Sequence, residues 1–201
     1  MNKAFAQGSQ ASVYLANAQI VDGTNTPGYL ADIEIHNGLI VAIHPRGNAH
    51  SQPNFAKPLV DQTWVDCAGL TIAPGFIDVH THDDALVLQP CETGAFHPKL
   101  SQGVTSVITG NCGVSLAPLV TENPPAPLDI LGRTGWQYAH FTEYLDAVNN
   151  ADLVVNVACM IGHTTLRVST LSDLNKPANY EEQLLMRAQV QAALKDRKSV
   201  V

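Results

Sequence analysis

The chain has 201 residues, of which 45% are hydrophobic and 14% charged, a composition that supplies a core and excludes a disordered chain. Its net charge of −7 and isoelectric point near 5.5 exclude the basic face that nucleic-acid binding needs. The apolar stretch 153–162 is too short to span a bilayer, and residues 1–12 lack the apolar core of a secretory signal, so a soluble protein with no membrane partner is expected.

Residues 1–11 read as a polar leader. Residues 12–70 read as a small antiparallel β unit. Val13 to Val21 is a strand closed by the turn residues Asp22-Gly23-Thr24. Ala31 to His36 alternates apolar and polar, Asn37-Gly38 is a hairpin signal, and Leu39 to His44 returns. Residues 45–62 are loop, and 64–67 form another short strand. From residue 71 the texture changes. Thr71 to Val79 is an apolar run broken by Pro74-Gly75, which predicts a strand buried on both faces. A short helix is expected at 93–102, a second buried strand at 104–109, and a Pro-rich loop at 113–135. A helix follows at 141–149 and a third buried strand at 153–161. Asn179 and Glu182 form a capping-box pattern, opening a helix with Met186, Val190, Ala193 and Leu194 on one face. Alternating strands and helices are the grammar of a parallel α/β fold.

Chemistry concentrates at the strand ends. His80 and His82 close the first strand of this region two residues apart, so period two points them the same way. Two imidazoles there can grip a divalent metal ion, or they can be ordinary turn histidines. Cys112, within Gly110-Asn111-Cys112-Gly113, ends the next strand, about 4.8 Å away for neighbouring strands. A thiolate beside imidazoles suits zinc better than magnesium or calcium. Cys67, Cys91 and Cys159 read as packing residues. The four cysteines contain no Cys-x-x-Cys pair, so reduced thiols in a cytoplasmic protein are expected. Asp83 and Asp84 are candidates to orient a ligand histidine, with a solvated strand-end pair as the alternative. His163 and Arg167 are candidates for a substrate carboxylate, with a structural loop contact as the alternative.

The segments 74–82, 98–107, 109–118 and 162–167 together resemble the N-acyl-D-amino-acid deacylase (D-aminoacylase) family of the amidohydrolase superfamily. The resemblance covers residues 12 to about 195. It implies a (β/α)8 TIM barrel, present here as its first three βα units over 71–201, preceded by strands of a small β-sandwich over 12–70. It implies zinc-dependent hydrolysis of the amide bond of a small-molecule N-acyl-D-amino acid, with His80, His82 and Cys112 as metal ligands. The family's catalytic aspartate and its further histidine ligands have no match here and are expected beyond Val201. A truncated or frameshifted product, inactive alone, is therefore expected. Another amidohydrolase (a cyclic amidase or deaminase) and a non-catalytic remnant are the alternatives. Side-chain preference and oligomeric state are left open.

Overall fold

The computed structural model describes residues 12–46, 62–89 and 98–195. The polar leader, Cys91 and residues 93–97 of the expected helix lie outside the described residues. The chain divides into two compact units, residues 2–74 and 75–201.

The first unit is built on one mixed sheet. β1 (Ser12–Ile20) pairs antiparallel with β2 (Tyr29–His36), which pairs antiparallel with the edge strand β3 (Leu39–Pro45). Asn37 and Gly38 both take positive φ, 51° and 76°, the backbone that a two-residue hairpin turn of matching twist requires. On its other side β1 pairs in parallel with β4 (Gln62–Asp66) and then β5 (Thr71–Ile72). The unit is therefore not purely antiparallel, because β4 and β5 run alongside β1 after a long connection instead of a hairpin. A bulge interrupts β1 between Leu15 and Ala18, where Asn17 has φ 65°. The Asn17 backbone N–H donates to Asp32 Oδ1 at 2.8 Å and its side-chain amide to Asp66 Oδ1 at 2.7 Å, which satisfies the kinked backbone and ties β1 to both neighbours. Ala18, Ile20, Ala31, Ile33 and Cys67 form the core beneath.

The second unit holds a parallel sheet in the order β6 (Phe76–Asp78), β7 (Val104–Thr109), β10 (Asn156–Cys159), with β7 in the centre. The expected strand from Thr71 to Val79 is thus two strands in two sheets. Pro74 lacks the N–H a continuous ladder needs, and the chain changes sheet there. Nor is β6 buried on both faces: Phe76 and Ile77 are exposed, as is Val79 just beyond it. The described end of the expected helix at 93–102 is one 3₁₀ turn, Leu100–Gln102, stopped by Gly103 at φ 80°. The expected loop at 113–135 contains β8 (Leu119–Val120), which pairs with β9 (Gln137–Tyr138), and a 3₁₀ turn at Leu128–Leu131.

α1 (Phe141–Asn150) buries Phe141, Tyr144, Leu145 and Val148, an i, i+3, i+4, i+7 stripe, against Val107, Leu116 and Val157. α2 (His163–Thr170) begins where the third strand was expected to end, since β10 stops at Cys159. α3 (Tyr180–Lys195) opens on the predicted capping box: Glu182 N–H donates to Asn179 Oδ1 and Asn179 N–H to Glu182 Oε2, both at 2.9 Å. Of its expected apolar face only Ala193 is buried, and Leu194 is exposed. No helix among the described residues is long and apolar enough to cross a membrane.

Candidate metal centre

Past β6 the chain bends at His80, and Thr81 returns to β7: its N–H donates to Ile108 O at 3.2 Å and its hydroxyl to the same oxygen at 3.0 Å. With Thr81 buried against β7, the residues either side of it turn the other way. His80 and His82 consequently face each other, ring centroids 5.8 Å apart and planes at 72°.

Cys112 arrives from the end of β7. Gly110, Cys112 and Gly113 all have positive φ, at 81°, 56° and 74°. Three left-handed residues within four positions coil the loop tightly enough to raise the sulfur out of the strand. A left-handed cysteine is uncommon, and its strain must be balanced by its surroundings. The loop is held on both sides. Asn111 donates through its side-chain amide to Ile108 O at 2.7 Å and to Thr81 O at 3.4 Å, bridging the β7 and β6 ends. A Cβ on Gly110 would run into the Met160 carbonyl, and one on Gly162 into the Gly113 carbonyl. Glycine at both sites lets the β7 loop lie against the start of α2.

These two arms bring three donors together. His80 Nε2 lies 3.0 Å from Cys112 Sγ, and the ligand atoms of His80, His82 and Cys112 all fall within 4.8 Å of one another. His82 Nδ1 is buried and has no hydrogen-bond partner among the described residues. An orphaned imidazole nitrogen in a cluster of two nitrogens and a sulfur is the donor set of a soft or borderline divalent cation, so these residues fit a metal.

The remaining candidates lie outside that cluster. Asp84 is fully buried and accepts the N–H groups of Gly110 and Leu116, each at 3.3 Å. Burial pushes its carboxyl up to about 6, against the pull of those two N–H groups. Asp83 pairs with Lys99, Nζ to Oδ2 at 3.3 Å, and Lys99 also meets Asp78 Oδ2 at 2.6 Å. The Lys99 ammonium, followed by the His80 N–H, holds the Asp78 carboxyl below its usual range, and Asp78 in turn raises Lys99. His163 is exposed on the first residue of α2. Arg167 donates through Nη2 to Leu174 O at 3.2 Å and Lys176 O at 3.0 Å, the loop contact named as its alternative role. Cys159, at the end of β10, is a free thiol that burial pushes up to about 11, in keeping with a packing residue.

A sequence profile of the amidohydrolase family matches residues 63–195. The chain belongs to that family. The D-aminoacylase of Alcaligenes xylosoxydans xylosoxydans is 45% identical over 181 residues, which cover 90% of this chain and 35% of that protein. A solved D-aminoacylase, described for its binuclear metal centre with one-metal activation and second-metal attenuation, superposes with a TM-score of 0.76. It is 41% identical, over 91% of this chain and 36% of its own. The N-acyl-D-glutamate deacylase of Bordetella bronchiseptica, solved with zinc and a phosphonate mimic of the tetrahedral intermediate, gives 0.72 at 35% identity, over 91% and 36% of the two chains. This amidohydrolase chain thus has the mixed α/β fold of those enzymes and spans about a third of their length.

Sequence reasoning passed over three residues of this amidohydrolase site. Lys99 was read only as part of the short helix expected at 93–102 and of the segment 98–107. Asn111 and Thr81 were read only as neighbours of the donors. Period-two alternation, which pointed the histidines one way, also implies that Thr81 points to the opposite face.

Proposed function

We propose that this chain carries the first-strand and second-strand metal ligands of a zinc-dependent N-acyl-D-amino-acid deacylase. The observation that carries this reading is the convergence of His80, His82 and Cys112, with His80 Nε2 at 3.0 Å from the sulfur. The similarity to D-aminoacylase and to the N-acyl-D-glutamate deacylase supports the substrate class, a small N-acyl-D-amino acid. On this reading β6, β7 and β10 are the first strands of a (β/α)8 barrel, whose functional groups sit at strand C-terminal ends. The sheet of residues 12–74 belongs to a β-sandwich. Free thiols at Cys67, Cys112 and Cys159 suit a reducing, cytoplasmic setting.

When bound, zinc supplies Lewis-acid polarisation of the scissile amide carbonyl. The chain's own residues hold it and shape its surroundings. His80 and His82 supply imidazole nitrogens, and Cys112 supplies a thiolate. Asn111 and Thr81 fix the spacing between the two arms. Asp78 and Asp83 are engaged by Lys99, and Asp84 is committed to two backbone N–H groups. With these three carboxylates so engaged, we infer that the 201-residue chain binds metal and does not hydrolyse the amide alone.

Cobalt(II) titration tests the site, because a thiolate ligand produces a sulfur-to-metal charge-transfer band. One equivalent is expected to bind with that band, and Cys112→Ala to abolish the band and weaken binding at least ~10-fold. An unchanged titration in Cys112→Ala removes the metal reading. Zinc-dependent release of a free D-amino acid by the purified chain removes the claim of inactivity.

A further inference from the structure

We infer that Lys99 is a positioning residue for the histidine arm: its ammonium locks Asp78 and Asp83, the two carboxylates that bracket His80 and His82. The inference rests on the metal reading of those histidines. Lys99 is anchored in the turn before β7, where its carbonyl accepts the Val104 N–H at 3.1 Å. Its side chain runs to the other end of β6 and places Nζ 2.6 Å from Asp78 Oδ2 and 3.3 Å from Asp83 Oδ2.

Each carboxylate residue then passes the restraint to the backbone. Asp78 Oδ1 accepts the His80 N–H at 3.2 Å, which sets the direction in which the chain leaves β6. The Asp83 carbonyl accepts the Val87 N–H at 2.9 Å, which starts the turn after His82. Asp83 Oδ2 is shielded from water and, among the described residues, has no polar partner besides the Lys99 ammonium. Without the ammonium, one buried carboxylate oxygen would lose its counter-charge, and two like charges would flank the histidines unopposed. The segment from Asp78 to Asp83 would then relax, taking both imidazoles with it. Among the described residues the Lys99 ammonium pairs with Asp78 and Asp83 and not with the side chains of His80, His82 or Cys112. It acts through Asp78 and Asp83.

The test uses the 201-residue chain with Lys99→Met and Lys99→Arg. Cobalt(II) affinity is expected to fall about 10- to 100-fold in Lys99→Met, the usual cost of losing an outer-shell partner. Lys99→Arg, which keeps the charge, recovers most of it. The urea midpoint of the metal-free protein changes far less than the affinity does. Equal cobalt affinity in wild type and Lys99→Met overturns the inference. So does an equal loss in both variants accompanied by a matching loss of metal-free stability. Failure of the wild type to bind cobalt defeats the metal reading instead. The inference is then decided without metal, by the nuclear Overhauser contact between the His80 and His82 rings. Lys99→Met loses that contact if Lys99 positions the arm, and its retention overturns the inference.

Discussion

At the scale of single residues, the site depends on backbone that side chains resist. Gly110 at φ 81° is excluded from alanine twice over, by its left-handed conformation and by the Met160 carbonyl in the space a Cβ would fill. Gly23, at φ 78°, has the same conformational constraint with nothing within 4 Å of its would-be Cβ. Gly23→Ala is expected to lose about 1–2 kcal/mol, the cost of a left-handed Cβ alone. Gly110→Ala is expected to exceed that by at least about 1 kcal/mol, since backbone must shift. Urea midpoints measured side by side check this, and equal losses would mean that the Met160 contact yields freely. The clustering of His80, His82 and Cys112 was legible in the sequence because all three follow the ends of neighbouring strands. Lys99 was not, because its partners Asp78 and Asp83 are distant in sequence and part of the intervening segment is unpatterned.

At the scale of elements, the polar knot on the first sheet carries a charge dependence of definite sign. Burial alone would raise the Asp32 carboxyl. Arg46, the Asn17 N–H and the Tyr14 hydroxyl outweigh it and hold it below its ordinary 3.8. A carboxylate depressed in the folded state stabilises above the unfolded value and loses that contribution as pH falls through the folded one. Arg46→Met is therefore expected to lose about 1–3 kcal/mol near neutrality. It should also flatten the decline of stability as pH falls below the ordinary carboxylate range. Chemical denaturation at several pH values measures both, and parallel curves for the two proteins would refute the assignment. The α3 capping box and the Asn37-Gly38 hairpin were legible because they rest on local backbone chemistry. The parallel pairing of β4 and β5, and the helix α2, were not. Both depend on partners distant in sequence, and short strands carry too few residues to display a period.

At the scale of the whole molecule, alternation of strands and helices predicted the α/β class correctly, but burial was over-read. Apolar residues on β3, on β6 and just past it face outward: Leu39 and Phe76 are each 68% exposed, and Ile40, Val41, Ile77 and Val79 are all more than half exposed. Continuous hydrophobicity in a strand says that two faces want cover, not that the chain's own described residues provide it. Because β3 is also an unpaired edge among the described residues, it offers both open hydrogen bonds and an apolar surface. The protein is expected to self-associate at roughly 100 µM, and a charge on that edge, Val41→Lys, to shift it towards monomer. Light scattering coupled to size exclusion reads this directly, and a wild type that stays monomeric would count against it.

Asn111 has a mechanical consequence. Its amide grips one carbonyl from each arm of the site, Thr81 and Ile108, while Thr81 is itself stitched to Ile108. Thermal displacement of one arm is copied to the other, so the imidazoles and the sulfur travel as a single rigid tripod. The distances among the three donors should fluctuate less than the position of any one of them.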